Sequence, residues 1–464
     1  MPRTPHRALA FVAVALLGCG SPAELDPSGD PDEFWAWCTD AGRGRAYGGD
    51  ATVADPADLT SLAGVSLVNG DLVVASATLV DLAGLEDLRC VRGDLIVDGN
   101  ARLASLAGLD GLVAIGGSVV IRRNLELADL SALAAVRHVA PFGPGELTIT
   151  SNAALPTLRG LEGIEVVHGD LDVQANAALL DVRGLDGVYQ VDGDVTVRTN
   201  ARLVDLDGLG NLGSVGGALR VEDDDALEDI GLGLLRDVDL DDEGVSTSFV
   251  GVQIQANPAL RTVRLGRLEQ ARTIEIERNE ALEAVDLAAL VRVDTDYLIA
   301  GTLTVVSEAL ATITLDSLES VRGDLRIDGP PLDAFVAPRL VRVDGDFSIG
   351  DDAVFPTRAP ALSTLSLASL TTVEEAFRVR NTALDDLAGV PALTSVGREL
   401  VIEHNQFLSA IVGLTELTTA RSLAIASNRS LPNCEALAVE ERLRAAGFMG
   451  SVRIAANDET ATCP

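Results

Sequence analysis

Residues Gly193–Gly213 read GDVTVRTNARLVDLDGLGNLG. The tail, Gly208-x-Gly210-x-x-Gly213, spells the glycine pattern that cradles a dinucleotide pyrophosphate. The head, V-T-V-R-T-N-A-R-L, has the alternation and corner of one turn of a solenoid. Context separates the two readings. A dinucleotide fingerprint needs a strand before it, a helix opening at its last glycine and an acidic residue about twenty positions on. Gly208 and Leu209 instead align with Gly108 and Leu109, and with Gly184 and Leu185, at one place in a repeating unit. The glycines belong to a repeat, and no nucleotide site is expected.

Working outward, the pattern apolar-x-(Val/Ile) followed by a corner occurs sixteen times, starting at Leu72, Leu95, Val119, Leu147, Leu171, Val195, Leu219, Val252, Ile274, Leu303, Leu325, Phe347, Phe377, Leu400, Leu423 and Val452. Apolar residues alternate there with mostly polar ones such as Asp172, Thr196, Arg220 and Glu275, which marks a short half-buried strand. Five residues after the strand start comes asparagine, at Asn100, Asn124, Asn152, Asn176, Asn200, Asn257, Asn279, Asn405, Asn428 and Asn457. Asparagine tolerates a left-handed turn, its amide bonds backbone groups at corners, and stacked copies can bond one another in a ladder. Leucines then recur every third residue, as at Leu103, Leu106, Leu109 and Leu112, which suits a tight coil returning beneath the strand. No unit can bury its apolar face alone, whereas stacked units share one continuous core. The expectation is an all-β, right-handed parallel β-solenoid of about 16 rungs, roughly 75 Å long at the spacing of adjacent strands.

The N-terminal residues stand apart. Arg3, His6 and Arg7 precede an apolar run of ten, Ala8–Leu17. That is too short to span a bilayer but suits a secretory signal. It ends in Leu16-Leu17-Gly18-Cys19, which looks like a bacterial lipobox with Cys19 as the lipidated residue. Residues 1–18 then form a lipoprotein signal peptide, and residues 19–33, small, polar and proline-rich, a flexible tether. The solenoid is expected over residues 34–464. Removing Arg3 and Arg7 takes the formal charge from −35 to −37, and the chain contains no lysine. Such a surface repels nucleic acid and anionic membrane faces. Beyond Cys19 there are four cysteines, Cys38, Cys90, Cys434 and Cys463, which allow three pairings. Cys434 and Cys463 each follow a corner asparagine by six residues, so stacking should bring them within disulfide range. Between them, residues 435–446 (EALAVEERLRAA) read as an amphipathic helix capping the last rungs, where an uncovered strand would invite edge-to-edge pairing.

The unit V-x-G-D-L-x-V-x-x-N-x-x-L-x-x-L-x-G-L-x-x-L resembles the receptor L-domain repeat of insulin- and EGF-receptor ectodomains, which also occurs in bacterial surface proteins. The resemblance runs from about Thr52 to Cys463, as one solenoid or as several fused L-domains. Ordinary leucine-rich repeats are the rival. They place a leucine two residues after the asparagine, where this chain has three (Asn200 to Leu203), and the Gly-Asp before each strand also favours the L-domain. Cys90, in R-C-V-R-G-D-L, looks like the L-domain cysteine that pairs with an N-terminal partner, and the resemblance thus implies Cys38–Cys90. The chain departs from the receptors in having no cysteine-rich module, no transmembrane helix and no kinase, so no ligand-contact residue carries over.

Candidate chemistry is sparse. His138, His168 and His404 sit on distant rungs without metal-ligand spacing, and no G-x-S-x-G elbow occurs. Asp71, Asp94, Asp170, Asp194, Asp324 and Asp346 each precede a strand start, in adjacent pairs on the stack. Their bland role is an Asx-type turn on local backbone N–H groups. Calcium on Asp170, Asp194, Asp324 and Asp346 is the one metal that their chemistry suggests, and no other cofactor is expected. Three insertions, Ala140–Pro144, Asp239–Ser248 and Asp294–Ala300, fall at one place between coil and Gly-Asp turn, and a fourth, Ala353–Pro360, follows a strand. Asp239, Asp241, Asp242 and Glu243 with Asp294 and Asp296 would form an acidic binding edge on one side of the rod. Phe34, Trp35 and Trp37 are expected to plug the first rung. The functional expectation is a non-enzymatic, lipid-anchored, monomeric protein of the bacterial envelope. It would present an acidic surface to a protein or glycan. The alternatives are a structural spacer and a polysaccharide-active β-helix enzyme.

Overall fold

A computed structural model describes residues 31–39, 44–239, 251–294, 301–350 and 361–460. The expected signal peptide, Cys19 and most of the expected tether lie outside them. A short helix, Pro31–Trp37, begins within the last residues assigned to that tether.

All sixteen expected strand starts lie in strands of one parallel ladder, which has seventeen members because Ala51–Val53 adds a rung before Leu72. The ladder is open, since Ala51–Val53 pairs only with Leu72–Val74 and Ser451–Ala455 only with Ser422–Ala426. Register is unshifted from rung to rung, so that Leu171 faces Val195 and Val173 faces Val197. Like residues therefore stack on like. Leu171, Val173, Val195 and Val197 are wholly buried, while Asp172 and Thr196 between them look outward. The first rung escaped the sequence pattern because Ala51-Thr52-Val53 begins with alanine and has no corner asparagine.

Each rung has two further sides. Two-residue strands such as Val166–Val167, Gln190–Val191 and Ser214–Val215 build a second parallel sheet, in a run of five and a run of ten. Along the third side the leucine coil runs alone, or widens to strands such as Asp229–Gly231 and Thr262–Arg264. Leu103, Leu106, Leu109 and Leu112 are fully buried, as the three-residue spacing requires. In the middle of the rod aromatic rings replace aliphatic side chains, with Phe347 stacked on Phe377 at 4.9 Å between centroids and Phe335 next to them.

The opening stretch takes its place in this frame. Val195–Arg198 is a ladder strand, and Asp207–Leu209 is a single 3-10 turn in the return coil. A Cβ on Gly208 would come within 2.2 Å of the Val182 carbonyl one rung back, so glycine is needed there for close approach. Gly210 and Gly213 meet no such crowding.

Both ends carry helices. Pro56–Leu62 is capped by Asp55, whose carboxylate accepts from Ala57 and Asp58, and it buries Leu59 and Leu62 in the core. The C-terminal helix spans Asn433–Ala445 and buries Ala436, Val439 and Leu443 against the last rungs. Cys38 and Cys90 form a disulfide with a Cα–Cα distance of 5.8 Å. Cys434 is also disulfide-bonded, and Cys463 lies outside the described residues.

The aromatic residues near the N-terminus do something other than plug the first rung. Phe34 and Trp35 pack with Cys38, Leu67, Cys90 and Ala114, on the outside of the second sheet across its early rungs. Cys90 and Ala114 are small and apolar at an outward position that Gln190 and Ser214 occupy further along, because the helix lies over them. Sequence order suggested an end plug, whereas the disulfide to Cys90 draws the helix sideways.

Candidate functional site

All ten predicted asparagines are nine-tenths or more buried and join in ladders. Each amide works in two directions. Asn176 Oδ1 accepts from the Asn152 backbone N–H at 3.0 Å, and its Nδ2 donates to the Ile149 carbonyl at 2.8 Å and to Asn200 Oδ1 at 3.3 Å. The left-handed conformation falls on the residue before, not on the asparagine: Arg123, Ser151, Ala175, Thr199, Ala256 and Arg278 all have φ between 55° and 59°. The corner consequently turns the asparagine inward, where its amide satisfies buried backbone groups.

Two runs of the ladder are present. One goes from Ser76 through Asn100 to Asn279, with Asp224 taking one place, and the other from Thr382 to Asn457. Between them the corner changes. Ile274 to Leu282 takes eight residues, but Leu303 to Leu310 and Leu325 to Leu332 take seven. Ser307 stands in for asparagine, its hydroxyl lying 2.9 Å from the carbonyls of Asn279 and Leu282.

At this change lies a groove of about 580 Å³, beside the last asparagines of the first run. Asp225, Glu277, Glu280 and Glu308 line it, together with Arg278 and Arg326. Both arginines face partners on the protein: Arg278 donates to Gln255, and Arg326 forms an ion pair with Asp328 at 3.7 Å. With four carboxylates against two guanidiniums, the groove favours a ligand bearing cationic or hydrogen-bond-donating groups. Sequence reasoning passed over these residues. The signal available was a gap: the fifth position after Leu303 and Leu325 holds Glu308 and Pro330 where asparagine is the rule.

The acidic edge is only partly within view. Asp241, Asp242, Glu243 and Asp296 fall outside the described residues. Asp239 is buried, its side chain fully enclosed and 2.7 Å from Arg272 Nε on the next rung. Burial pushes its carboxyl up to about 6, against the opposing pull of Arg272. Asp294 faces Arg322 at 3.2 Å. These residues follow successive strands of the second sheet, so the column alternates acid and base along the rod. The described members are joined to arginines one rung on rather than to each other. In the remaining described insertion, Phe142 packs on Phe34 and Trp35 and clasps the N-terminal helix.

The Gly-Asp aspartates act between rungs instead of locally. Asp170 Oδ1 accepts the Asp194 N–H at 2.8 Å, Asp194 Oδ1 that of Ala218 at 2.8 Å, and Asp324 Oδ1 that of Asp346 at 2.7 Å. Asp346 in turn accepts from Ala376 at 2.9 Å. The second oxygens of Asp194 and Asp346 meet Arg220 and Arg378 on the following rung. Stacked carboxylates are thus separated by backbone donors and countered by guanidiniums. Among the described residues no group of three or more His, Cys, Asp and Glu is gathered as a metal would require. The histidines remain apart: His168 pairs with Asp192 at 2.9 Å, His138 touches the Phe34 ring, and His404 is a left-handed corner residue. Burial holds the His138 imidazole below its ordinary value.

Compared with known protein families and with curated proteins, the chain matches none.

Proposed function

We propose that this chain is a non-enzymatic lipoprotein of the bacterial envelope, tethered through Cys19, whose rod presents a binding surface to a protein or glycan. The observation that carries the binding role is the acidic groove at Asp225, Glu277, Glu280 and Glu308. It lies where the repeat departs from its own rule, and a repeat maintained only for length has no need of that departure. The lipobox and the resemblance to receptor L-domains support the location and the role. A pull-down from envelope extracts tests it, comparing wild type with Glu277→Arg/Glu280→Arg. Loss of captured material in the variant is the expected result, and identical capture would refute the groove. Turnover of neutral or anionic glycans by the wild type would overturn the non-enzymatic reading.

One observation favours the spacer as a second reading. Many arginines pair with a carboxylate on a neighbouring rung, as in Asp98 with Arg122 and Arg123, Asp229 with Arg264, and Glu283 with Arg261. Ion pairs that tie one rung to the next suit a stiff stalk.

A further inference from the structure

Asp224 occupies a ladder position that asparagine fills on both sides. It is fully buried. Its Oδ1 does what an asparagine oxygen does, accepting the Asn200 N–H at 2.7 Å, and its own N–H donates to Asn257 Oδ1 at 3.0 Å. The other side-chain atom is where the chemistry differs. Along the ladder Nδ2 donates to the carbonyl of the third strand residue one rung back: Asn152 to Ile121, Asn176 to Ile149, Asn200 to Val173, Asn257 to Val221. For residue 224 that carbonyl belongs to Val197. An ionised carboxylate has nothing to donate there, and Asp224 Oδ2 is buried without a hydrogen-bond partner.

We propose that Asp224 is a buried proton-binding site, held in the ladder as a neutral carboxylic acid whose Oδ2–H donates to the Val197 carbonyl as an asparagine amide would. The surroundings agree. Asn200 and Asn257, on the rungs before and after, are neutral, and the charged groups acting on Asp224 are Asp223 and Asp225, both acidic. Desolvation first, then these neighbours, raise its carboxyl to about 7, while the bonds from Asn200 oppose the rise. A folded value above the unfolded one means that the native state binds the extra proton. The contribution is complete below about pH 4 and is lost as pH rises through about 7. Ionisation then leaves a buried acceptor against an acceptor, at the corner that also carries Asp225 of the groove.

The test compares urea unfolding of the wild type and Asp224→Asn at pH 4.5 and pH 8. The variant supplies a permanent donor of the same shape. Its unfolding midpoint should exceed that of the wild type at pH 8, and the gain should shrink towards zero at pH 4.5. An equal midpoint at pH 8, or a gain independent of pH, would overturn the proposal. Infrared difference spectra give a separate reading. At pH 5.5 wild type minus Asp224→Asn should show a protonated carboxyl band that disappears by pH 8, and its absence at pH 5.5 would equally overturn the assignment.

Discussion

Asn200 Oδ1 accepts the backbone N–H of Asn176 at 3.1 Å, across 24 residues of chain. The same amide donates to Val173 at 2.9 Å, so one side chain fastens the corner and the strand of the preceding rung. Asn176→Ala would strand the Asn152 N–H and the Ile149 carbonyl away from water. Unsatisfied buried groups cost about 1–3 kcal/mol each, so the variant should lose about 2–6 kcal/mol. Asn457→Ala removes the corresponding bonds from the Asn428 N–H and to the Ile425 carbonyl. Asn457 lies on the last rung and is less completely buried, so water can reach the freed groups and the loss should be smaller. Urea unfolding followed by circular dichroism would rank the two, and equal losses would argue against the ladder as a cooperative element.

Reduction of Cys38–Cys90 has a built-in reporter. The chain has two tryptophans, Trp35 and Trp37, and both lie on the helix that this bond holds. Trp35 is buried against Cys90 and Ala114. Cys90→Ala should therefore red-shift tryptophan emission while leaving far-UV dichroism of the solenoid nearly unchanged. Closing a loop of this size contributes about 2–4 kcal/mol, and the loss should fall on the first rungs. Unaltered emission would show that packing alone seats the helix.

The Asp239–Arg272 pair predicts a pH dependence with a defined sign. The folded carboxyl titrates at about 6, above its ordinary value, so the native state gains a proton as pH falls. Arg272→Met strands a buried carboxylate at pH 7.5 and should cost about 3 kcal/mol there. At pH 5 the carboxyl is protonated and the loss should be clearly smaller. Denaturation midpoints at the two pH values decide the matter, and a cost that grows on acidification would contradict the pairing.

Where Phe347 and Phe377 stack, the core depends on aromatic volume. Both are almost wholly buried. Phe377→Ala should cost about 3–5 kcal/mol through lost transfer energy and the cavity left behind, with Phe377→Leu losing much less. Thermal unfolding of the two variants measures this, and similar losses would mean that the neighbouring rungs collapse to fill the space.

Much of this protein was legible without coordinates because a solenoid is nearly one-dimensional. The Leu/Val alternation, the corner asparagine and the three-residue leucine spacing all concern contacts between a residue and its copy one rung away. Periodicity in the chain is then periodicity in space, and strand starts, ladder members and the C-terminal helix could be placed from spacing. The same logic had limits at the corner. It assigned the left-handed turn to asparagine itself, whereas residues such as Ala175 and Thr199 take that conformation so that the amide can point inward.

What repetition could not carry, only the tertiary structure decided. The N-terminal helix lies on the side of the second sheet because a disulfide and two aromatic rings hold it there, and no repeat encodes that contact. Asp239 sits inside the rod against Arg272, a matter of burial depth that charge counting along the chain cannot see. The groove gathers Asp225, Glu277, Glu280 and Glu308 from three rungs, a convergence that is visible only when the rungs are stacked. Sequence by itself determined the rung, since each rung is set by local chemistry and its nearest copies. The structure decided where rungs differ in what they bury, and that depends on desolvation and on contacts between segments far apart in the chain.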